Sequence, residues 1–199
     1  MANSTNNLTI LQRLNQLLPA FREARFLENR GIGNEVGFYI FDYDPADEPV
    51  VERFLPTLHQ KLQGPTVGLK AVEVNLYRAL LAVLEQRGFL KKAFEMEASK
   101  GNRAFAKAIA PVVRPDKIVD YIQVQLSGDE DLVLLTGVGA SWPVLRSHTI
   151  LNNLHAVLDR TPVVMFFPGT YDGQELRLFN TLKDDNYYRA FPLIPRKAF

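Results

Sequence analysis

The chain contains no cysteine, which removes thiol nucleophiles, disulfides and cysteine-based zinc sites together. It also lacks an excess of either charge: 23 lysines and arginines face 22 aspartates and glutamates. The balance holds in each half, so no basic stripe of the kind a nucleic-acid binder carries is visible. No direct nucleic-acid binding is expected of the chain alone. No apolar run approaches the roughly 18–20 residues of a membrane span. The start, MANSTNNLTILQRLNQLL, lacks the basic opening and continuous apolar stretch of a signal peptide. A soluble, cytoplasmic protein with no membrane partner is the expectation.

What is present is an ordinary globular composition, 47% apolar over 199 residues. That length suits one domain, residues 1–199, burying roughly 70% of its unfolded surface. Residues 5–28 carry leucines at three- and four-residue steps and predict a helix that Pro19 should kink or divide. Gly37–Pro45 reads as a strand with a continuous apolar run, buried on both faces. Asp47–Leu62 is helical, and residues 69–75 form a second strand. From Tyr77 to Leu126 the pattern is helical throughout. This exceeds the dozen residues a crossover requires and predicts a helical insertion or side layer over 85–127. Asp131–Thr136 and Pro162–Pro168 are two further strands. A helix between them, running to Asp159, has Ser141 as its N-cap and Pro143 in its first turn. Residues 169–199 are irregular, with extended pieces near Leu176–Phe179 and Ala190–Ile194.

Short apolar strands alternating with helices predict an α/β fold. Its predominantly parallel sheet has about four to five strands flanked by helices. In such sheets chemistry gathers beyond the carboxyl ends of the strands. Here those ends carry Asp42 with Asp44, Asn75, Thr136 with Gly137, and Gly169–Asp172.

Each edge admits a chemical and a structural reading. Gly137-Val-Gly-Ala-Ser-Trp-Pro-Val follows a strand but lacks the lysine and final glycine of a phosphate loop, so a tight turn is favoured. No cofactor is expected. Asp42-Tyr-Asp44 places two carboxylates after a buried strand, the arrangement by which phosphotransferases hold a nucleophile and Mg²⁺. Thr136 and the pair Asp184-Asp185 could complete that set. The competing reading, which is favoured, makes Asp44 and Asp47 caps for the following helix. On the helix after the third strand, His148, Asn152 and His155 align opposite the apolar face, with Arg146 and Asn153 nearby. His at i and i+7 are about 10 Å apart along the axis, too far for one zinc. Mid-helix asparagines each cost up to ~0.7 kcal/mol against alanine. Their retention suggests hydrogen bonding or a partner. Tyr171, Asp172, Asp184, Asp185, Asn186, Tyr187 and Arg189 form polar–aromatic loops typical of recognition surfaces. A hydrolase triad has no support, because Ser147 and His148 are adjacent on a helix and do not face each other.

Four segments, GNEVGFYIFDYDP (33–45), LTGVGASWPVLRSHTILNNL (135–154), PVVMFFPGTYDG (162–173) and LKDDNYYRAF (182–191), occur in order along the chain. Together they resemble the BrxB family of the bacteriophage-exclusion (BREX) defence system. The resemblance implies a small component working beside a DNA methyltransferase, a large ATPase and PglZ, an alkaline-phosphatase-superfamily protein. It supplies no catalytic residues. The expectation is therefore a non-catalytic assembly subunit that binds PglZ, with the large ATPase and a second copy as further partners. A Mg²⁺-dependent phosphotransferase or hydrolase using Asp42, Asp44 and Asp184/Asp185 is the alternative.

Overall fold

The structure is a computed structural model that describes residues 7–23, 26, 37–154, 157–158, 161–183 and 190–197. Helix α1 (Ile10–Phe21) begins at Thr9, whose hydroxyl accepts the Gln12 amide while Gln12 returns a bond to the Thr9 amide. This reciprocal capping box satisfies two otherwise orphaned donors. Pro19 lies in the last turn of α1, and beyond that end Phe26 is again helical. Strand β1 (Phe38–Tyr43) leads through a 3₁₀ turn (Pro45–Asp47) into α2 (Glu48–Gln63). The apolar stripe of α2, Val51, Leu55, Leu58 and Leu62, is buried.

Strand β2 (Ala71–Asn75) runs directly into α3 (Leu76–Gln86), whose first turn is capped by the Asn75 side chain accepting the Arg78 amide at 3.1 Å. Helices α4 (Leu90–Ile109) and α5 (Pro115–Gln125) complete the predicted helical segment between the second and third strands. Gly101, at φ 73°, breaks α4 into two helical runs. Then come β3 (Leu132–Thr136), α6 (Val138–Ser141), α7 (Ser147–Leu154), β4 (Val163–Tyr171), β5 (Leu176–Leu178), β6 (Leu182–Lys183) and β7 (Phe191–Pro192). The helix expected from Ser141 is thus two helices. Ser141 ends the first of them, its hydroxyl donating to the Val138 carbonyl, and does not cap a second. Pro143 sits in the turn between, after a cis bond from Trp142.

The sheet order is β2-β3-β4-β1-β7, all parallel, as the apolar strand runs predicted. From β1 the chain crosses two strands to reach β2, then steps back through β3 and β4. Right-handed crossovers must change face when the direction reverses. Accordingly α1 and α2 pack on one face with Phe41, Leu132, Leu134, Val164 and Phe166. Helices α3, α5 and α7 pack on the other with Ile40, Val133, Leu135, Met165 and Phe167. The alternation along β3 and β4 shows why these strands read as continuous apolar runs. Every residue of β3 is buried, because both faces are covered. Strand β4 outruns the parallel sheet, and its last three residues pair antiparallel with β5, which pairs with β6. Among the described residues, no helix is long and apolar enough to cross a membrane.

Candidate functional site

The expected crevice is at the carboxyl ends of the strands, and Asp42 is its most buried acid. It ends β1 beneath two arginines. Arg13 comes from the core-facing stripe of α1, where Ile10, Leu14, Leu17 and Phe21 set the apolar register. Its guanidinium lies over the Phe41 ring, 4.6 Å from the centroid, and its side chain is 3% exposed. It donates to the Asp42 backbone carbonyl, to Asp42 Oδ1 at 2.9 Å and to the Ile194 carbonyl at 2.6 Å. Arg196 approaches from the C-terminal segment, donating Nε to Asp42 Oδ2 at 2.8 Å and Nη2 to the Gly169 carbonyl at 2.5 Å. The Tyr171 amide donates to the same Oδ2 at 3.3 Å. Burial lowers the pKa of Arg13, and the Asp42 charge and hydrogen bond oppose that shift. A buried cation is held charged only by such a partner.

Both Asp42 oxygens are therefore engaged by protein donors, and Asp44 is used differently. Its Oδ1 accepts the Ala46 amide at 3.0 Å, capping the 3₁₀ turn, and its Oδ2 accepts from Asn180 at 3.3 Å. The capping reading is realised at Asp44. Asp47 occupies the N-cap position of α2 without a side-chain bond. Asp184 and Asp185 lie outside the described residues. Among the described residues no cluster of three or more histidines and acids could hold a metal ion.

The remaining strand ends are also tied to the protein's own atoms. Thr136 donates its hydroxyl to Glu73 Oε1 at 2.7 Å. Gly137 takes a left-handed φ of 69°, and a Cβ there would stand 2.4 Å from Asn75 Oδ1. At Gly169 a Cβ would meet the Arg177 carbonyl at 2.1 Å, so the β4–β5 pairing needs glycine.

The residues expected to form a recognition surface divide. Arg146 and Asn152 are exposed, as is Asp172. Asp172 accepts the Gln174 and Glu175 amides at 2.9 and 2.8 Å, and these bonds hold its carboxyl below the ordinary range. His148 is half-buried and already engaged. Asn153 donates one turn back to the Thr149 carbonyl at 2.7 Å, so its amide serves the helix. Tyr171 is a correction to the surface expected from sequence. It is 8% exposed, and its hydroxyl donates to the Ala190 carbonyl at 2.7 Å, because β4 continues into the sheet where an open loop was expected. His155 and residues 184–189, which include Asn186, Tyr187 and Arg189, lie outside the described residues. Arg146 and Lys183 share a small depression with Trp142 and Leu182, which places the α7 start beside the β5–β6 hairpin.

Sequence reading passed over two features. Arg13 could have been found as a cation on an otherwise apolar helical stripe. The second is a groove of about 70 Å³ between α3, α4 and the turn at 140–144, lined by aromatic residues (Tyr77, Phe94, Phe105, Trp142) together with the polar Glu97 and Asn102. Trp142, the chain's single tryptophan, is 41% exposed and Phe94 49%. The Trp142 ring meets Phe179 edge-on, with centroids 6.1 Å apart. Large aromatics at the surface beside a concavity mark binding sites more often than chance burial.

The geometry thus defines an α/β protein in which the acid at the end of β1 is sealed by ion pairs and a groove of mixed aromatic and polar lining opens beside Trp142. A sequence model of the family "BREX protein BrxB" matches residues 72–193. A BREX protein BrxB from Bacillus cereus (strain H3081.97) is 48% identical over 191 residues, covering 94% of this chain and 98% of the relative. Another, from Escherichia coli O9:H4 (strain HS), is 37% identical over 185 residues, covering 92% and 90%. No solved structure shows a significant match. The chain belongs to the BrxB family of BREX phage-defence proteins.

Proposed function

We propose that the protein is a non-catalytic assembly subunit of a cytoplasmic BREX complex, that it binds the alkaline-phosphatase-superfamily component PglZ, and that it also touches the large ATPase. The observation that carries this reading is the state of Asp42. The acid best placed for nucleophilic or metal chemistry spends both oxygens on Arg13, Arg196 and the Tyr171 amide. A nucleophile or Mg²⁺ ligand needs free lone pairs aimed at an open site. Carboxylates bound in this way serve the fold. The surface favoured for contact is the exposed side of α7 and the adjoining hairpin, with Arg146 as its cation and Asp172 as its acid.

Co-purification of the tagged chain with the other BREX proteins tests the proposal. PglZ should be retained at a fixed ratio, and Arg146→Glu should reduce that retention without changing the melting temperature. Recovery of the chain free of every BREX component would overturn the assembly role. So would calorimetric Mg²⁺ binding that Asp42→Asn abolishes.

A further inference from the structure

We propose that the depression at the start of α7 is a binding site for a phosphate group, either free or carried on a small molecule. This goes beyond the assembly role, and no partner protein is needed to test it.

The start of α7 lies at the carboxyl edge of the sheet, where the chain has left β3 and before it crosses back to β4. That is the edge at which parallel sheets hold ligands. The Arg146 carbonyl accepts the Ile150 amide at 3.1 Å, which makes Arg146 the N-cap of an eight-residue helix. An arginine side chain has no oxygen with which to accept a helix amide. The Ser147 and Thr149 amides meet no acceptor among the described residues. A guanidinium thus stands beside the positive end of a helix, an arrangement that an anion between them stabilises.

Ser147 points independently to a ligand. It is 7% exposed and lines the depression, and its hydroxyl has no partner among the described residues. A buried hydroxyl so placed is a donor for whatever oxygen fills the space.

The rest of the lining selects the charge. Arg146 and Lys183 both line the depression, and no acid does. Arg146 has no acidic partner among the described residues. Lys183 shares its Nζ with Glu175 Oε2 at 3.0 Å and keeps donors to spare. Phe167, Leu176 and Leu178 form apolar walls, which strengthen the attraction by excluding water. The volume is about 30 Å³, room for roughly two waters, so it suits one oxyanion group rather than a whole cofactor. Two cations match the charge of about −1.5 to −2 on a phosphate group better than the single charge of a carboxylate.

Trp142, the only tryptophan, also lines the depression, so its fluorescence reports occupancy in the full chain alone. Inorganic phosphate at constant ionic strength should change it saturably. Arg146→Gln should weaken the affinity by about tenfold, and Ser147→Ala and Lys183→Gln by roughly threefold or more each. Arg146 and Lys183 are exposed, so both glutamine variants should melt as the unaltered chain does. Phenyl phosphate binding more tightly than inorganic phosphate supports the site and places the group on a small molecule that reaches Trp142. Equal binding supports it with free phosphate as the ligand. Acetate binding as tightly as phosphate, the lack of a saturable change at millimolar phosphate, or full affinity in Arg146→Gln would each overturn it. Arg146 also belongs to the contact surface proposed above, but the titrations contain no partner, so either reading can fail without the other.

Discussion

Arg196 Nε donates to Asp42 Oδ2 at 2.8 Å across 154 residues of sequence, while Arg13 holds the other oxygen from the opposite side. The Leu8 amide donates to the Arg196 carbonyl at 2.8 Å, so this contact also joins the two terminal segments. Asp42 is thus the point where α1, β1, β4 and the C-terminal segment meet. Asp42→Ala leaves Arg13 buried without a counter-charge, which costs about 3–5 kcal/mol. Arg196→Met removes a partly exposed partner and should cost roughly 1 kcal/mol or less. Urea unfolding of both variants checks the order. An Arg196 variant as unstable as the Asp42 variant would show that the cluster is misassigned.

Glu48 gives a pH dependence of definite sign. It accepts the Tyr43 hydroxyl at 2.9 Å on Oε2. Burial raises its carboxyl above the ordinary value, the Tyr43 bond opposes this, and Glu52 adds to it. A raised folded pKa means that the folded state holds the proton more tightly than the unfolded chain. The associated stability is fully present below the unfolded pKa and is lost as pH rises through the folded value. A Glu48→Gln variant keeps an acceptor for Tyr43 without a charge to bury. It should match the wild type in acid and become the more stable of the two as pH rises through the carboxylate range towards neutrality. Melting curves across that interval check it, and a constant gap would contradict the burial argument.

Much of the fold was legible because it rests on local apolar pattern. The continuous runs of β1, β3 and β4 predicted a doubly covered parallel sheet, and leucines at three- and four-residue steps predicted the helix that contains α1. The site was less so. Asp42 could be seen, but its partners lie 29 and 154 residues away, and no local spacing encodes such a meeting. Tyr171 failed as a surface residue for a related reason. β4 was read as ending at Pro168, whereas Gly169 lets it continue by accommodating the Arg177 carbonyl.

That role for Gly169 is itself testable. Gly169→Ala must displace backbone, because its Cβ would stand 2.1 Å from the Arg177 oxygen. The same carbonyl group of residue 169 also accepts Arg196, so a shift would disturb the Asp42 cluster. A loss of about 1–3 kcal/mol by overpacking is expected. Hydrogen exchange should show faster opening of residues 169–178. A variant with unchanged exchange would mean that the β4–β5 pairing does not depend on glycine.

Tyr171 and Arg146 together separate fold from interface. Both were expected on one recognition surface, yet only Arg146 is exposed. Tyr171→Phe deletes the hydroxyl bond to Ala190 and leaves the ring packed, which should cost about 1 kcal/mol while partner retention is unaffected. Arg146→Glu removes no bond within the described residues, so stability should hold while retention of a partner falls. The two variants therefore predict opposite patterns in the same pair of measurements, melting and co-purification. A Tyr171→Phe protein that melts normally but loses its partner would return that ring to the interface. It would also require the ring, 8% exposed in the folded chain, to be uncovered on binding.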